Sequence, residues 1–375
     1  MNKIIYLDNA ATTAVSSEVV YSMLPYMIEQ YGNPSTSYSL GREAREVVEN
    51  CRNRIANILN CDPAGLYFTS GGTESDNTLI KGIAHCYYKK DNIIVSNIEH
   101  PAVLQTCKEL EKEGFTITYA PVKRDGLIDI KELEKLITPQ TKLISIMLAN
   151  NELGTIEPLE EICVMAHKHK VLVHTDMVQA TGHMLIDIQK LGVDSFSCSG
   201  HKFGAPKGIG LAYIRPGAKC KPFIVGGGQE QGFRSGTENV PAIVGMTVAL
   251  EKATKNMTYY INRMNTLREL FLKELSGVKY KINGSQKYVL PGTLNISFPK
   301  VDGENLKLYL DSKGICVSNG SACHSGSVEP SHVLKAIKLS DNYINGTIRI
   351  SFGDNTEKDI QYVAQCIKEY LKEIK

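Results

Sequence analysis

Several things are scarce in this 375-residue chain, and each scarcity closes off a class of function. An excess of one charge is missing. The formal net charge is +2 and no long basic run occurs, so composition offers no electrostatic case for a nucleic-acid partner. Long apolar runs are missing too. No stretch approaches the ~18 consecutive apolar residues of a membrane span. The N-terminal MNKIIYLDNAATTA holds only the short apolar run IIYL, too brief for the core of a secretion signal. The expectation is a cytoplasmic chain with no membrane partner. Paired cysteines are also lacking. Ten cysteines are scattered along the chain, yet none forms a C-x-x-C pair, which argues against a zinc site or a thioredoxin-like motif. In a reducing compartment most of them read as small buried hydrophobes. Internal repeats and low-complexity segments are absent as well. What remains is an ordinary globular balance, 42% hydrophobic and 22% charged, in a chain long enough for two lobes.

From about residue 66 to 215, short apolar runs alternate with helical patterns. LYFTS (66–70), NIIVS (92–96), FTITYA (115–120), LISIML (143–148), VLVHT (171–175), SFSCS (195–199) and GLAYI (210–214) read as strands. Helices are expected from about Thr73 to Tyr87, from Pro101, and over 158–169, the last two opened by a proline that suits a first helical turn. This alternation predicts an α/β fold with a mostly parallel sheet covered by helices. Residues 240–275 read as one long or bent helix, followed by short strands (KYKI, TLNISF, ICVS, TIRISF) and helices. Ile360, Val363, Ile367, Leu371 and Ile374 form the apolar stripe of a last helix.

Four segments carry chemistry. In TSGGTESDN (69–77), a Gly-Gly-Thr turn between strand and helix aims free N–H groups and the Thr73 hydroxyl at one point, a setting for phosphate; the alternative is a plain turn. In HTDMVQA (174–180), Asp176 ends a strand at the sheet's carboxyl edge, where α/β ligands bind. A carboxylate there could keep a pyridinium nitrogen protonated, with Gln179 donating to a phenolic oxygen; the alternative is a helix cap. In SCSGHKFGAPKGIG (197–210), Lys202 lies between glycines, a desolvated setting that suits a Schiff-base lysine, and Ser199 and His201 could add phosphate donors. In GGGQEQGFRSGTENVPA (226–242), Thr237 precedes a helix and could cap it or bind an anion. His167 and His169 lie two apart on a helix and do not share a face, so they make no metal pair.

Those segments, with YLDNAATT (6–13), YGNPSTSYSLG (31–41), SNIEHPAV (96–103), NNELGTIEP (150–158) and SNGSACHSGSVEPSHVL (318–334), resemble the cysteine desulfurases of the NifS/IscS branch. These belong to the class V aminotransferase group of fold-type I pyridoxal-phosphate enzymes. The matching motifs run from residue 6 to about 352. The resemblance implies a large lobe (15–255) with a seven-stranded, mostly parallel sheet, and a smaller α+β lobe (1–14 and 256–375) carrying a cysteine loop at about 318–330. It implies pyridoxal 5'-phosphate held covalently by Lys202. Asp176 would pair with the ring nitrogen, Gln179 with the phenolic oxygen, and His100 would stack on the ring. Gly72, Thr73, Ser199 and His201 would hold the phosphate, and Thr237 would reach the phosphate of a neighbouring subunit in a homodimer. Asn151 would serve both cofactor and substrate, and Asn33, Asn151 and Arg349 would hold the substrate carboxylate, Arg349 through its planar fork.

Fold cannot name the chemistry on such a scaffold. The small, flexible run around Cys323 narrows it. An exposed loop is a poor home for a structural cysteine and a good one for a nucleophile, with His324 beside it to favour thiolate. The expected activity is conversion of L-cysteine to L-alanine, with Lys202, His100 and Cys323 catalytic and Cys323 carrying a persulfide. The sulfur would pass to acceptor proteins of iron–sulfur assembly or tRNA thiolation. No intrinsic metal site is expected; Cys323 would meet metal only through a cluster on a scaffold partner. Selenocysteine lyase, a class V aminotransferase and a non-catalytic sulfur carrier stay open as alternatives.

Overall fold

The computed structural model describes residues 4–86, 91–319 and 330–374. Twelve strands occur among them: β1 (Ile5–Tyr6), β2 (Leu66–Thr69), β3 (Asn92–Ser96), β4 (Thr116–Ala120), β5 (Thr141–Ser145), β6 (Leu172–Asp176), β7 (Ser195–Ser199), β8 (Gly210–Ile214), β9 (Lys281–Asn283), β10 (Thr293–Ser297), β11 (Ile315–Cys316) and β12 (Thr347–Ser351). Seven of these form one sheet in the order β2-β8-β7-β6-β5-β3-β4. Only the pairings of β8 are antiparallel; β3 to β7 pair in parallel. The mostly parallel sheet expected from the alternation of apolar runs is therefore present, with the seven strands that the resemblance implied.

Parallel strands covered by helices on both faces read as unbroken apolar runs, because both rows of side chains are buried. β3 shows this. Ile94 faces a core shared with helices Ser39–Leu59, Leu159–Lys168 and Val240–Lys255, whereas Ile93 and Val95 face a second core under helices Gly72–Ala84 and Pro101–Lys112. The same alternation sends Val173, Phe196 and Cys198 to the first core and Leu143 and Leu172 to the second. It also decides where polar strand residues go. Ser145, His174, Asp176, Ser197 and Ser199 share the parity of Leu143 and Leu172 and face the second layer.

A separate core is built from Ile5, Leu7 and residues between Met264 and Ile367, around the antiparallel sheet β12-β10-β9. β1 pairs with β11 in parallel, and Asp8 bridges to Ser351. The first residues thus ride on this second core. Val333, Leu334, Ile337, Leu339 and Ile344, by contrast, pack into the first core of the large sheet. The stretch 240–275 is two helices, Val240–Lys255 and Met257–Glu274, interrupted at Asn256 (φ −99°, ψ 8°). The last helix, Glu357–Glu373, opens with a capping box at Thr356 and Asp359; Ile360, Val363 and Ile367 are buried, and Ile374 beyond its end is exposed. No helix among the described residues is long and apolar enough to cross a membrane.

Candidate active site

The carboxyl ends of β2, β6 and β7 meet at one edge of the sheet, and a cavity of about 280 Å³ opens there. Gly72, Thr73, His100, Asn151, Asp176, Gln179, Ser199, His201, Lys202 and Arg349 all line it. These ten residues come from six stretches of the sequence; five end or follow strands of the large sheet, whose loops leave at the same edge, and Arg349 comes from β12 of the second sheet. Thr237 lines a neighbouring pocket with Thr69, Ser70 and Gly208. Its helix is capped instead by Asn239, whose side chain accepts from the Ala242 N–H. Asn33 is exposed and lies outside the cavity lining; its side chain accepts from the Ser35 N–H at 2.9 Å. Cys323 and His324 lie outside the described residues.

The turn before helix Gly72–Ala84 is shaped by close approach. Gly71 has φ +152°, and Gly210 of β8 runs directly against it: a Cβ at 210 would come within 2.5 Å of the Cys198 carbonyl oxygen and 2.6 Å of the Gly71 Cα. A Cβ at Gly72 would meet Val178 Cγ2 at 2.8 Å. Backbone therefore comes close at this corner, with the side chains of Thr73, Val178 and Ser199 beside it. The first N–H groups of an α-helix have no partner within it, and the first two residues of this one, Gly72 and Thr73, line the cavity. Glu74 turns aside to Arg234, whose Nε donates to it at 2.8 Å, so its charge is already paired.

Lys202 Nζ donates to the carbonyl oxygens of Ala10 (2.7 Å) and Ala11 (2.9 Å), and Gln179 Nε2 donates to the same Ala10 oxygen at 3.0 Å. The N-terminal segment is thus a wall of the cavity. His201 belongs to the same wall through Thr12, with Nδ1 and Oγ1 3.1 Å apart, and burial pushes its imidazole down to about 4. Asp176 is buried and accepts from the Val178 N–H at 2.8 Å, in a local turn and not as the cap of a helix. Burial raises its carboxyl, while the Val178 N–H and the Lys202 charge pull the other way. His100 ends the turn after β3 and its Nδ1 accepts from the Ala102 N–H at 3.1 Å, which caps helix Pro101–Lys112 and places the ring proton of the neutral form on Nε2. Arg349 is 2% exposed; it donates to the Asn151 carbonyl oxygen and to the Asp8 carboxylate, each at 2.7 Å.

The cavity also takes in Asp76, Glu152 and His332, which sequence reasoning passed over. For Asp76 a signal existed: it stands three residues after Thr73 and four after Gly72, on the same helical face. Glu152 accepts from Ser331 Oγ at 2.6 Å, and His332 donates from Nε2 to the Glu99 carbonyl oxygen at 3.0 Å. The two histidines at 167 and 169 go to separate carboxylates, Asp194 and Glu134, and no metal-holding cluster occurs among the described residues.

An amine, a buried carboxylate, an amide donor and a glycine corner at a helix N-terminus make a donor set that fits pyridoxal phosphate. The glycines let the chain pack closely at this corner, and the helix start beside it offers the N–H donors that a phosphate takes.

The chain is similar over nearly its whole length to known proteins. A cysteine desulfurase IscS from Methanosarcina thermophila is 45% identical over all of this chain and 93% of its own length. A mitochondrial cysteine desulfurase from Arthroderma benhamiae is 42% identical over all of this chain and 76% of its own. Among solved structures, a NifS-like protein superposes with a TM-score of 0.94 at 40% identity, covering 99% of this chain and 100% of its own. SspA in complex with cysteine gives 0.83 at 37% identity, covering 93% and 98%. The family pattern described as aminotransferase class-V matches residues 5–363, and the chain belongs to that family.

Proposed function

We propose that this chain is a pyridoxal-phosphate-dependent cysteine desulfurase. The observation that carries the reading is the convergence of Lys202, Asp176 and Gln179 on one buried cavity beside the glycine corner. The full-length similarity to cysteine desulfurases supports the choice of substrate. When bound, pyridoxal phosphate supplies a carbonyl that takes up an amine and a protonated ring that withdraws electrons from the substrate Cα.

The chain's own residues supply the rest. Asp176 would pair with the ring nitrogen of the bound cofactor, and Gln179 would donate to its phenolic oxygen. Gly72, Thr73, Ser199 and His201 hold the phosphate. Lys202 would move the proton at the substrate Cα, assisted by His100, whose Nδ1 accepts from the Ala102 N–H and so leaves Nε2 to handle the proton. Arg349, held by Asn151 and Asp8, presents its fork to the substrate carboxylate. The Cys323 thiolate attacks the substrate sulfur. The Cβ–S bond of L-cysteine breaks as the S–S bond forms, so cysteine and an enzyme thiol become alanine and an enzyme persulfide. An acceptor protein for iron–sulfur assembly or tRNA thiolation then takes the sulfur in the cytoplasm. We further propose a division into a large lobe, 15–255, and a small lobe, 1–14 with 256–375. In a homodimer of such chains Thr237 reaches the partner's phosphate.

The test is a cysteine-to-alanine assay with persulfide mapping by mass spectrometry. Wild type is expected to form one alanine per sulfur and to carry the extra sulfur on Cys323. Cys323→Ser is expected to keep the cofactor absorbance and its change on adding cysteine, while releasing no sulfide. Full turnover by that variant with a thiol reductant would remove Cys323 from the mechanism.

A further inference from the structure

A row of buried polar side chains lies between the large sheet and helix Gly72–Ala84. Ser145, His174 and Ser197 face this layer because their neighbours Ile144, Val173, Phe196 and Cys198 face the opposite core. Ser145 Oγ is 2.9 Å from His174 Nδ1, and Ser197 Oγ is 3.1 Å from His174 Nε2. Burial drives His174 down to about 3, so its ring is neutral, with one nitrogen donating and the other accepting. The row ends on Asp76, whose Oδ1 lies 3.7 Å from His174 Nε2 and has no hydrogen bond of its own. Asp76 is 1% exposed and lines the same cavity as Asp176, which stands two residues beyond His174 on the same face of β6.

The two carboxyls differ in what favours their charge. Asp176 has the Val178 N–H and the Lys202 charge. Asp76 has the Ser197 hydroxyl, set against burial first, then the charges of Asp176 and Glu99, which together push it well up. The groups around it are His174 and Asp176 from β6, Ser197 from β7, Glu99 from the turn after β3, and Cys107 from helix Pro101–Lys112. Glu99 is itself raised to about 8 and the Cys107 thiol to about 12, in both cases chiefly by burial. Neighbouring buried carboxyls do not both ionise while one can hold a proton.

We propose that Asp76 is a positioning residue that keeps its carboxyl proton, so that the acids beneath the cavity present a single negative charge, on Asp176, to the cationic ring of the cofactor. This rests on the reading of the cavity as a pyridoxal-phosphate site. A neutral Asp76 keeps Asp176 acidic enough for the ring-nitrogen proton to stay on the ring.

Infrared difference spectra of the full-length protein, recorded near neutral pH with and without pyridoxal phosphate, test it. Asp76→Asn is expected to lose the intensity of one protonated carboxyl in both states. That variant should hold pyridoxal phosphate within about threefold of wild type, whereas Asp176→Asn, which leaves a buried cation unpaired, should weaken it by about 10²-fold. An unchanged carboxyl band in Asp76→Asn overturns the proposal, as does a loss of cofactor matching that of Asp176→Asn. Should Asp76→Asn fail to fold, Ser197→Ala takes its place. Loss of that hydroxyl should move one carboxylic-acid band, and a spectrum with no moved band overturns the proposal. A wild type that binds no pyridoxal phosphate overturns the functional reading and the cofactor half of this proposal with it; the spectra of the free protein still decide where the proton sits.

Discussion

Arg349, in the middle of β12, donates to the carboxylate of Asp8 at 2.7 Å, joining the sheet of the second core to the segment that walls the cavity. The guanidinium is 2% exposed and its other arm is held by the Asn151 carbonyl oxygen. Its orientation is therefore set before any substrate arrives, which lowers the cost of capturing a carboxylate.

Arg349→Lys keeps the charge and loses the planar fork. The expected outcome is a rise in KM for cysteine of about tenfold or more with a smaller change in kcat, since a carboxylate contact persists through the reaction. Steady-state kinetics over a range of cysteine concentrations measures it.

Lys202 donates to Ala10 and Ala11, so its amine already lies against the N-terminal wall. Lys202→Ala should still fold but lose the visible absorbance of covalently held pyridoxal phosphate. Its turnover should fall by at least about 10²-fold, the contribution of one positioned proton carrier. Absorbance spectra before and after dialysis, with alanine release, check both.

Arg52 fixes the strand that leads into the glycine corner. It pairs with Glu230 at 2.8 Å, both side chains being nearly inaccessible, and Glu230 in turn accepts from the Phe68 N–H of β2. Arg52→Ala leaves a buried carboxylate unpaired and should cost about 3–5 kcal/mol of stability. A lowered urea midpoint with an unchanged slope would show it.

Stability should fall toward both ends of the pH scale for separate reasons. Glu99 is raised by burial from 4.5 to about 8, so within that window the folded chain holds a proton that the unfolded chain has lost. Stability then decreases as pH rises through the window, by at most about 1.4 kcal/mol per pH unit. Glu99→Gln should lessen that slope by the share of Glu99, leaving the part owed to Asp76 and Glu157, which burial also raises. His174 is lowered by burial from 6.5 to about 3, so in that window the unfolded chain binds the extra proton and stability decreases as pH falls. Urea unfolding of wild type and Glu99→Gln at a series of pH values separates the two slopes.

Much of the sheet was legible in the sequence. NIIVS, SFSCS and GLAYI became β3, β7 and β8 with those same bounds, because a strand buried on both faces must be continuously apolar or small. The break at Asn256 was not legible, since 240–275 contains few breakers and the interruption is made by packing of the two helices on different cores. Thr237 as a helix cap was a fair local inference that lost to Asn239, two residues nearer the helix.

Local sequence by itself determined the alternation of strands and helices, and the motifs around Lys202, Asp176 and Thr73, because periodicity and turn chemistry act within a few residues. Only the tertiary structure decided that Ala10 is the acceptor for Lys202 and Gln179, that Arg349 reaches Asp8, and that Asp76 shares a cavity with Asp176. These relationships join residues about a hundred or more positions apart in the chain. They follow from strand order, from the face each side chain takes, and from the loss of water around buried acids, and none of these is a property of a short stretch of sequence.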